Sequence, residues 1–161
     1  LSIPLSWWEI RSPVSDREAY NLNIQKCEIL LFRQNRITTP NIIIRTLLRN
    51  HFESNISSNH LPTPPPVLSE VATKLHLSER TLIRRLNRYN TSYKMILEAT
   101  RKEYAKRLLK EARYSISDVS DLLGYQALAN FCRAFKRWYN ESPVRYRKNY
   151  PLKELPLQTI R

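Results

Sequence analysis

A chain of 161 residues with one glycine, Gly124, has few ways to turn sharply. Sheet proteins draw on glycine for the positive φ of tight hairpins. Here there are ten prolines, abundant Leu, Ile and Arg, and no alternating apolar and polar run bounded by turn dipeptides. The fold class this predicts is all-α. Gly124 stands between two amphipathic segments, where a short helix-to-helix joint needs a residue that tolerates positive φ.

Around that joint the sequence repeats itself. Val71, Leu75 and His76 recur 48 positions later as Val119, Leu123 and Gly124, and Leu82, Arg84 and Leu86 recur 49 later as Phe131, Arg133 and Phe135. In the first copy, Val67, Leu68, Val71, Ala72 and Leu75 form one side of a short helix. His76 takes the turn, since His is among the residues enriched in the left-handed region. Ser78 then caps a second helix running to about Tyr89, which buries Leu82 and Leu86 and exposes Arg80, Ile83, Arg84 and Asn87. Short helix, turn and basic second helix is the helix-turn-helix layout. One such pair is easily mimicked by any helical hairpin; two copies are not. The second copy opens on Ser115 and Asp118 as a capping box, turns at Gly124 and Tyr125, and continues from about Ala127 to Tyr139. Residues 92–111 read as one long joining helix with Ile96, Leu97, Thr100, Tyr104, Leu108 and Leu109 toward the core. Ser142 and Pro143 start a short basic and aromatic closing helix.

Upstream, residues 1–14 carry aromatic and apolar side chains with prolines at 4 and 13, too little for a domain. Ser15 and Glu18 form a capping box before a seam of Tyr20, Ile24, Cys27 and Leu31. Thr39 and Pro40 start a further helix with Ile43, Ile44, Leu47 and Leu48 on its apolar side. This helical hairpin could pack on an upstream domain, on a second subunit, or on itself. Residues 53–66 break into Ser, Asn and Pro and read as a linker, stiff at Pro64, Pro65 and Pro66. The expected organisation is therefore a helical connector over 1–52, a linker over 53–66, two helix-turn-helix units joined by a long helix over 67–150, and a tail over 151–161.

Charge narrows the function. The chain carries +13 with a pI near 10.1. Residues 63–150 hold 18 basic and 8 acidic side chains, a net of +10, whereas residues 1–62 hold 7 and 5, a net of +2. A basic half of this kind is the electrostatic footprint of a nucleic-acid binder. Catalysis is not expected: His51, His60 and His76 stand alone, no metalloprotease, P-loop or C-x-x-C pattern occurs, and one glycine cannot build a phosphate cradle. No metal site and no cofactor are predicted. Cys27 and Cys132 each fall in an apolar helical pattern and read as small hydrophobes. With no signal peptide, lipidation motif or long apolar run, a cytoplasmic protein is expected, and a chain that begins with Leu is expected to have an upstream domain. Two rivals are a basic architectural protein without sequence preference and a membrane-surface helix over residues 101–113. The repeat argues against the first, and the need of that helix's apolar residues to join the two units argues against the second.

The runs VATKLHLSERTLIRRL, ILEATRKEYAKRLL and ISDVSDLLGYQALANFCRAFKRWYNESPVRYR resemble the DNA-binding domain of the AraC/XylS family of bacterial transcription regulators. The resemblance covers residues 66–150, about half the chain. It implies two recognition helices entering successive major-groove segments of double-stranded DNA, about 34 Å apart. Base-facing positions would then be Arg80, Ile83, Arg84 and Asn87 in the first unit and Leu128, Ala129, Cys132 and Arg133 in the second. The second set departs from the more polar pattern of many members and leaves Arg133 as its evident hydrogen-bonding reader. The first unit would discriminate and the second anchor. Thr91, Ser92, Lys136, Arg137, Arg145 and Arg147 would meet phosphates. Arg85 is expected to lay its stem over the core, which Tyr125, Phe131, Phe135 and Trp138 are expected to join. More weakly, residues 1–31 resemble the end of the effector domain in arabinose-binding-type and ornithine-responsive regulators. RNA polymerase, a second copy of the chain and a small-molecule effector on the upstream domain are the further partners this implies; no membrane is.

Overall fold

Thr39, in extended backbone (ψ 142°), and Pro40 at the first helical position start α1, Pro40–Ser57, although the Thr39 side chain makes no capping hydrogen bond. The computed structural model describes residues 39–58 and 60–150. The capping box at Ser15, the seam from Tyr20 to Leu31, Cys27 and the 151–161 tail lie outside the described residues. After α1 come α2 (Leu68–Lys74), α3 (Glu79–Asn87), α4 (Tyr93–Leu108), α5 (Ile116–Leu122), α6 (Leu128–Tyr139) and α7 (Pro143–Asn149). Among the described residues there is no strand, and the fold is all-α.

Side-chain caps explain most of the starts. Ser78, Ser92, Ser115 and Ser142 each accept a hydrogen bond from the backbone N–H three residues on, satisfying a donor that the first helical turn leaves unpaired. At Ser115 the capping box is complete, since Asp118 accepts from the Ser115 N–H at 2.7 Å. Val67, read from the sequence as part of an apolar face, is instead the exposed residue before α2, and its N–H donates to Glu70 at 3.0 Å. Helix α3 stops at Asn87, with Asn90 in the left-handed region, and α4 stops at Leu108, three residues short of the predicted end.

The largest revision concerns α1. It runs to Ser57, past residue 53 where the linker was expected to begin, because Phe52 and Ile56 continue the apolar spacing of Leu48. Nor does it stand apart as a connector. Ile43, Ile44, Leu48 and Phe52 are buried in the same core as Val71, Leu82, Leu108 and Phe135. Helix α1 packs chiefly on α4 and also touches α3 and α5. The sequence left open an upstream domain, a second subunit or the hairpin itself as the cover for this face; the two helix-turn-helix units supply it instead. Ion pairs Arg49–Glu103 and Arg107–Glu53, both 2.6 Å, border the α1–α4 seam. Being half-exposed, they add little beyond orientation. Tyr104 donates to Glu53 at 2.8 Å, and burial followed by that hydrogen bond pushes its phenol pKa up.

The second unit has an aromatic core. Phe131 and Phe135 are fully buried, with Tyr125 5.6 Å from Phe131 and Tyr146 of α7 5.3 Å from Phe135. Trp138 packs only partly against it.

Candidate nucleic-acid interface

The two turns share one geometry. His76 N–H donates to Thr73 O and Leu77 N–H to Ala72 O, both at 2.9 Å; Gly124 N–H donates to Asp121 O at 2.8 Å and Tyr125 N–H to Ser120 O at 3.1 Å. Every partner is displaced by the same 48 positions as the sequence repeat. Both turn residues sit in the left-handed region, His76 at φ 54° and Gly124 at φ 69°. Such a residue lets the chain reverse while its N–H groups satisfy the last carbonyls of the preceding helix.

Each turn delivers a second helix whose buried face fixes its outer one. In α3, Leu82 and Leu86 are at most 1% exposed, so Arg80, Ile83, Arg84 and Asn87 face outward, with Arg85 half-buried beside them. In α6, burial of Phe131, Ala134 and Phe135 turns Leu128, Ala129, Arg133 and Lys136 outward. Cys132, predicted both as a small buried hydrophobe and at a base-facing position, is half-buried on the flank of the core. Asn130 was missed. It is exposed and its Oδ1 accepts from the Arg133 guanidinium at 2.6 Å, so Arg133 has a polar companion on its own helix. The i, i+3 spacing of a long donor and a short acceptor is a signal that the sequence carried.

Residues 71–149 match the family of sequences described as a helix-turn-helix domain. An uncharacterized HTH-type transcriptional regulator of Mycobacterium tuberculosis is 31% identical over 143 residues, which are 89% of this chain and 39% of that protein. The transcriptional regulator CdpR of Pseudomonas aeruginosa superposes with a TM-score of 0.57 at 31% identity, over 68% of this chain and 31% of CdpR. A Chromobacterium violaceum regulator with an AraC-type DNA-binding domain shares the fold, with a TM-score of 0.52 at 22% identity over 69% of this chain and 95% of that one. Residues 71–149 belong to the AraC/XylS family. The chain spans about two fifths of the mycobacterial relative.

In this AraC-type domain the six cationic or hydroxyl groups expected at phosphates are placed unequally. Lys136 and Arg145 are exposed. Ser92 Oγ is engaged as the cap of α4, and Thr91 is half-buried beside it. Arg147 donates from Nε to Leu109 O at 3.4 Å, reaching the end of α4. Arg137 is ion-paired with Glu98 of α4, which also accepts from Trp138 Nε1 at 2.7 Å. Those hydrogen bonds, from Trp138 first and then Arg137, hold the Glu98 carboxyl below its ordinary 4.5. A carboxylate with a lowered folded-state pKa gives stability that is complete above its unfolded value and disappears as pH falls through the folded one. Glu98→Gln is therefore expected to lower the urea midpoint at pH 7, and the gap to the parent chain should close as acid protonates Glu98.

Arg101, not singled out from the sequence, joins the joining helix to the second turn. Its Nε donates to Leu123 O at 2.9 Å and its terminal nitrogen to Gly124 O at 3.0 Å, while the guanidinium lies 4.3 Å from the Tyr125 ring centroid. Burial lowers its pKa. Among the described residues no group of three or more His, Cys, Asp and Glu is placed to hold a metal ion, and no helix is long and apolar enough to cross a membrane.

Proposed function

We infer that this chain is the DNA-reading part of a sequence-specific transcription regulator, placing α3 and α6 in successive major-groove segments of one duplex. What carries the reading is the pair of identically hydrogen-bonded turns, each presenting an exposed helix, in a half-chain of net charge +10. In the first unit Arg80 and Arg84 offer forked donors that match guanine O6 and N7, and Asn87 can pair with adenine. In the second unit Arg133, steadied by Asn130, is the hydrogen-bonding group, and Leu128 and Ala129 suit thymine methyls. Lys136 and Arg145 take phosphates. The protein works in the cytoplasm on double-stranded DNA, and control by a small-molecule effector, pairing with a second copy and contact with RNA polymerase belong to the same reading.

Selection of bound duplexes from a random pool is expected to return two boxes about one helical turn apart. On the selected duplex Arg84→Ala should cost about 1 to 3 kcal/mol and relax preference at one position. Arg145→Ala should weaken binding to selected and random duplexes alike. Arg147 is a poor choice for that control, because its side chain also holds the end of α4. Equal losses on both duplexes for Arg84→Ala would remove it as a reader and favour an architectural protein.

A further inference from the structure

Asn55 is 6% exposed, near the end of α1, and all four of its hydrogen bonds to other segments are made inside the domain. Its Nδ2 donates to Thr63 O at 2.9 Å and to Leu122 O at 3.3 Å. Its Oδ1 accepts from Thr63 N–H and from Thr63 Oγ1, both at 3.2 Å. One side chain thus ties α1 to the segment before α2 and to the last turn of α5. Leu122 O is among the carbonyls a helix end leaves without an internal partner.

Residues 63–66 form a strap rather than a free spacer. His51 Nε2 lies 3.1 Å from Thr63 O. Pro65 Cδ lies so close to the Gly124 turn that a Cβ there would stand 2.4 Å from it. At the far end Tyr93 donates to Pro66 O, joining the strap to the start of α4; burial pushes that phenol up to about 12. The strap then runs directly into α2. It is covalently part of the first unit while its prolines rest on the turn of the second, and α1 touches both α3 and α5.

The geometry points to Asn55 and the strap as the elements that fix how far apart, and at what rotation, α3 and α6 meet the duplex. Asn55 is then a positioning residue for DNA reading, and α1 with the strap selects the spacing between boxes. This rests on the two-unit reading above. Asn55→Asp keeps an acceptor for Thr63 but loses both donations, and places a negative charge against two carbonyl oxygens. Thr63→Val removes one hydrogen bond at nearly constant volume.

The test is a duplex series in which the second box is moved by single base pairs relative to the first. Dissociation constants are measured on the full chain, at a temperature where circular dichroism shows every variant folded. The parent chain is expected to prefer one spacing by about tenfold, in the range of a mismatched base pair. Asn55→Asp should flatten that preference to within about threefold, with Thr63→Val in between, while affinity for a duplex holding the first box alone is kept. A variant that lost the same factor at every spacing would show a merely structural role and overturn the inference, as would an unchanged spacing profile in both variants. A parent chain with no spacing preference at all would instead overturn the two-unit reading on which the inference stands.

Discussion

Phe52→Ala is expected to lower the unfolding free energy by about 3 to 5 kcal/mol, read as a shift in the urea midpoint with little change in slope. Phe52 is fully buried on α1, its ring centroid 5.3 Å from that of Tyr104 on α4. Truncation would leave a cavity between two helices that the surrounding buried side chains, Ile44, Leu48 and Leu108 among them, already pack together, so collapse into it is restricted. Because domains of this size have total stabilities of about 5 to 15 kcal/mol, the variant would be marginal near body temperature. By the same reasoning a chain cut to begin at Val67 should lose cooperative unfolding, since it lacks the cover for α4. An unchanged midpoint for Phe52→Ala would mean that α1 is not part of the DNA-binding core.

Gly124→Ala should destabilise the chain by about 2 to 4 kcal/mol, combining left-handed backbone strain with overpacking. Two causes can be separated. His76 holds nearly the same φ with a Cβ, on an exposed turn, so positive φ alone is tolerated here. At Gly124 a Cβ would stand 2.4 Å from Pro65 Cδ and 3.4 Å from Pro64 Cα. The double variant Gly124→Ala, Pro65→Ala is therefore expected to recover the steric part and keep the strain. If the double variant is no more stable than Gly124→Ala alone, the strap does not press on the turn.

That contact also explains what the sequence could and could not convey. The repeat was legible because His76 and Gly124 begin equivalent turns, and local hydrogen bonding follows from local residue types. The outward faces of α3 and α6 followed from the spacing of Leu82, Leu86, Phe131 and Phe135. By contrast, the polar run around Asn55 looked like linker. Its Ser and Asn residues favour breaks when nothing else is known, and the tertiary cover that keeps α1 helical to Ser57 comes from elsewhere in the chain. Ile43, Ile44, Leu47 and Leu48 announced that α1 needs a partner without naming it. Arg101, Arg137 and Arg147 show the same limit. A charge count sees three cations for DNA, whereas each finds an oxygen of the protein 22 to 39 positions away. Asn130 differs from these, because its partner stands only three residues on and the pairing is local.

The α1–α4 seam also sets an order of events during synthesis. Glu103, Tyr104 and Arg107 follow their α1 partners by 51 to 55 positions, and chains grow at about 5 to 20 residues per second. The stripe of Ile44, Leu48 and Phe52 is thus made roughly 3 to 10 seconds before the helix that will cover most of it. In that interval α1 is an apolar ridge that α4 does not yet cover, and it is a segment that a holding chaperone could grip.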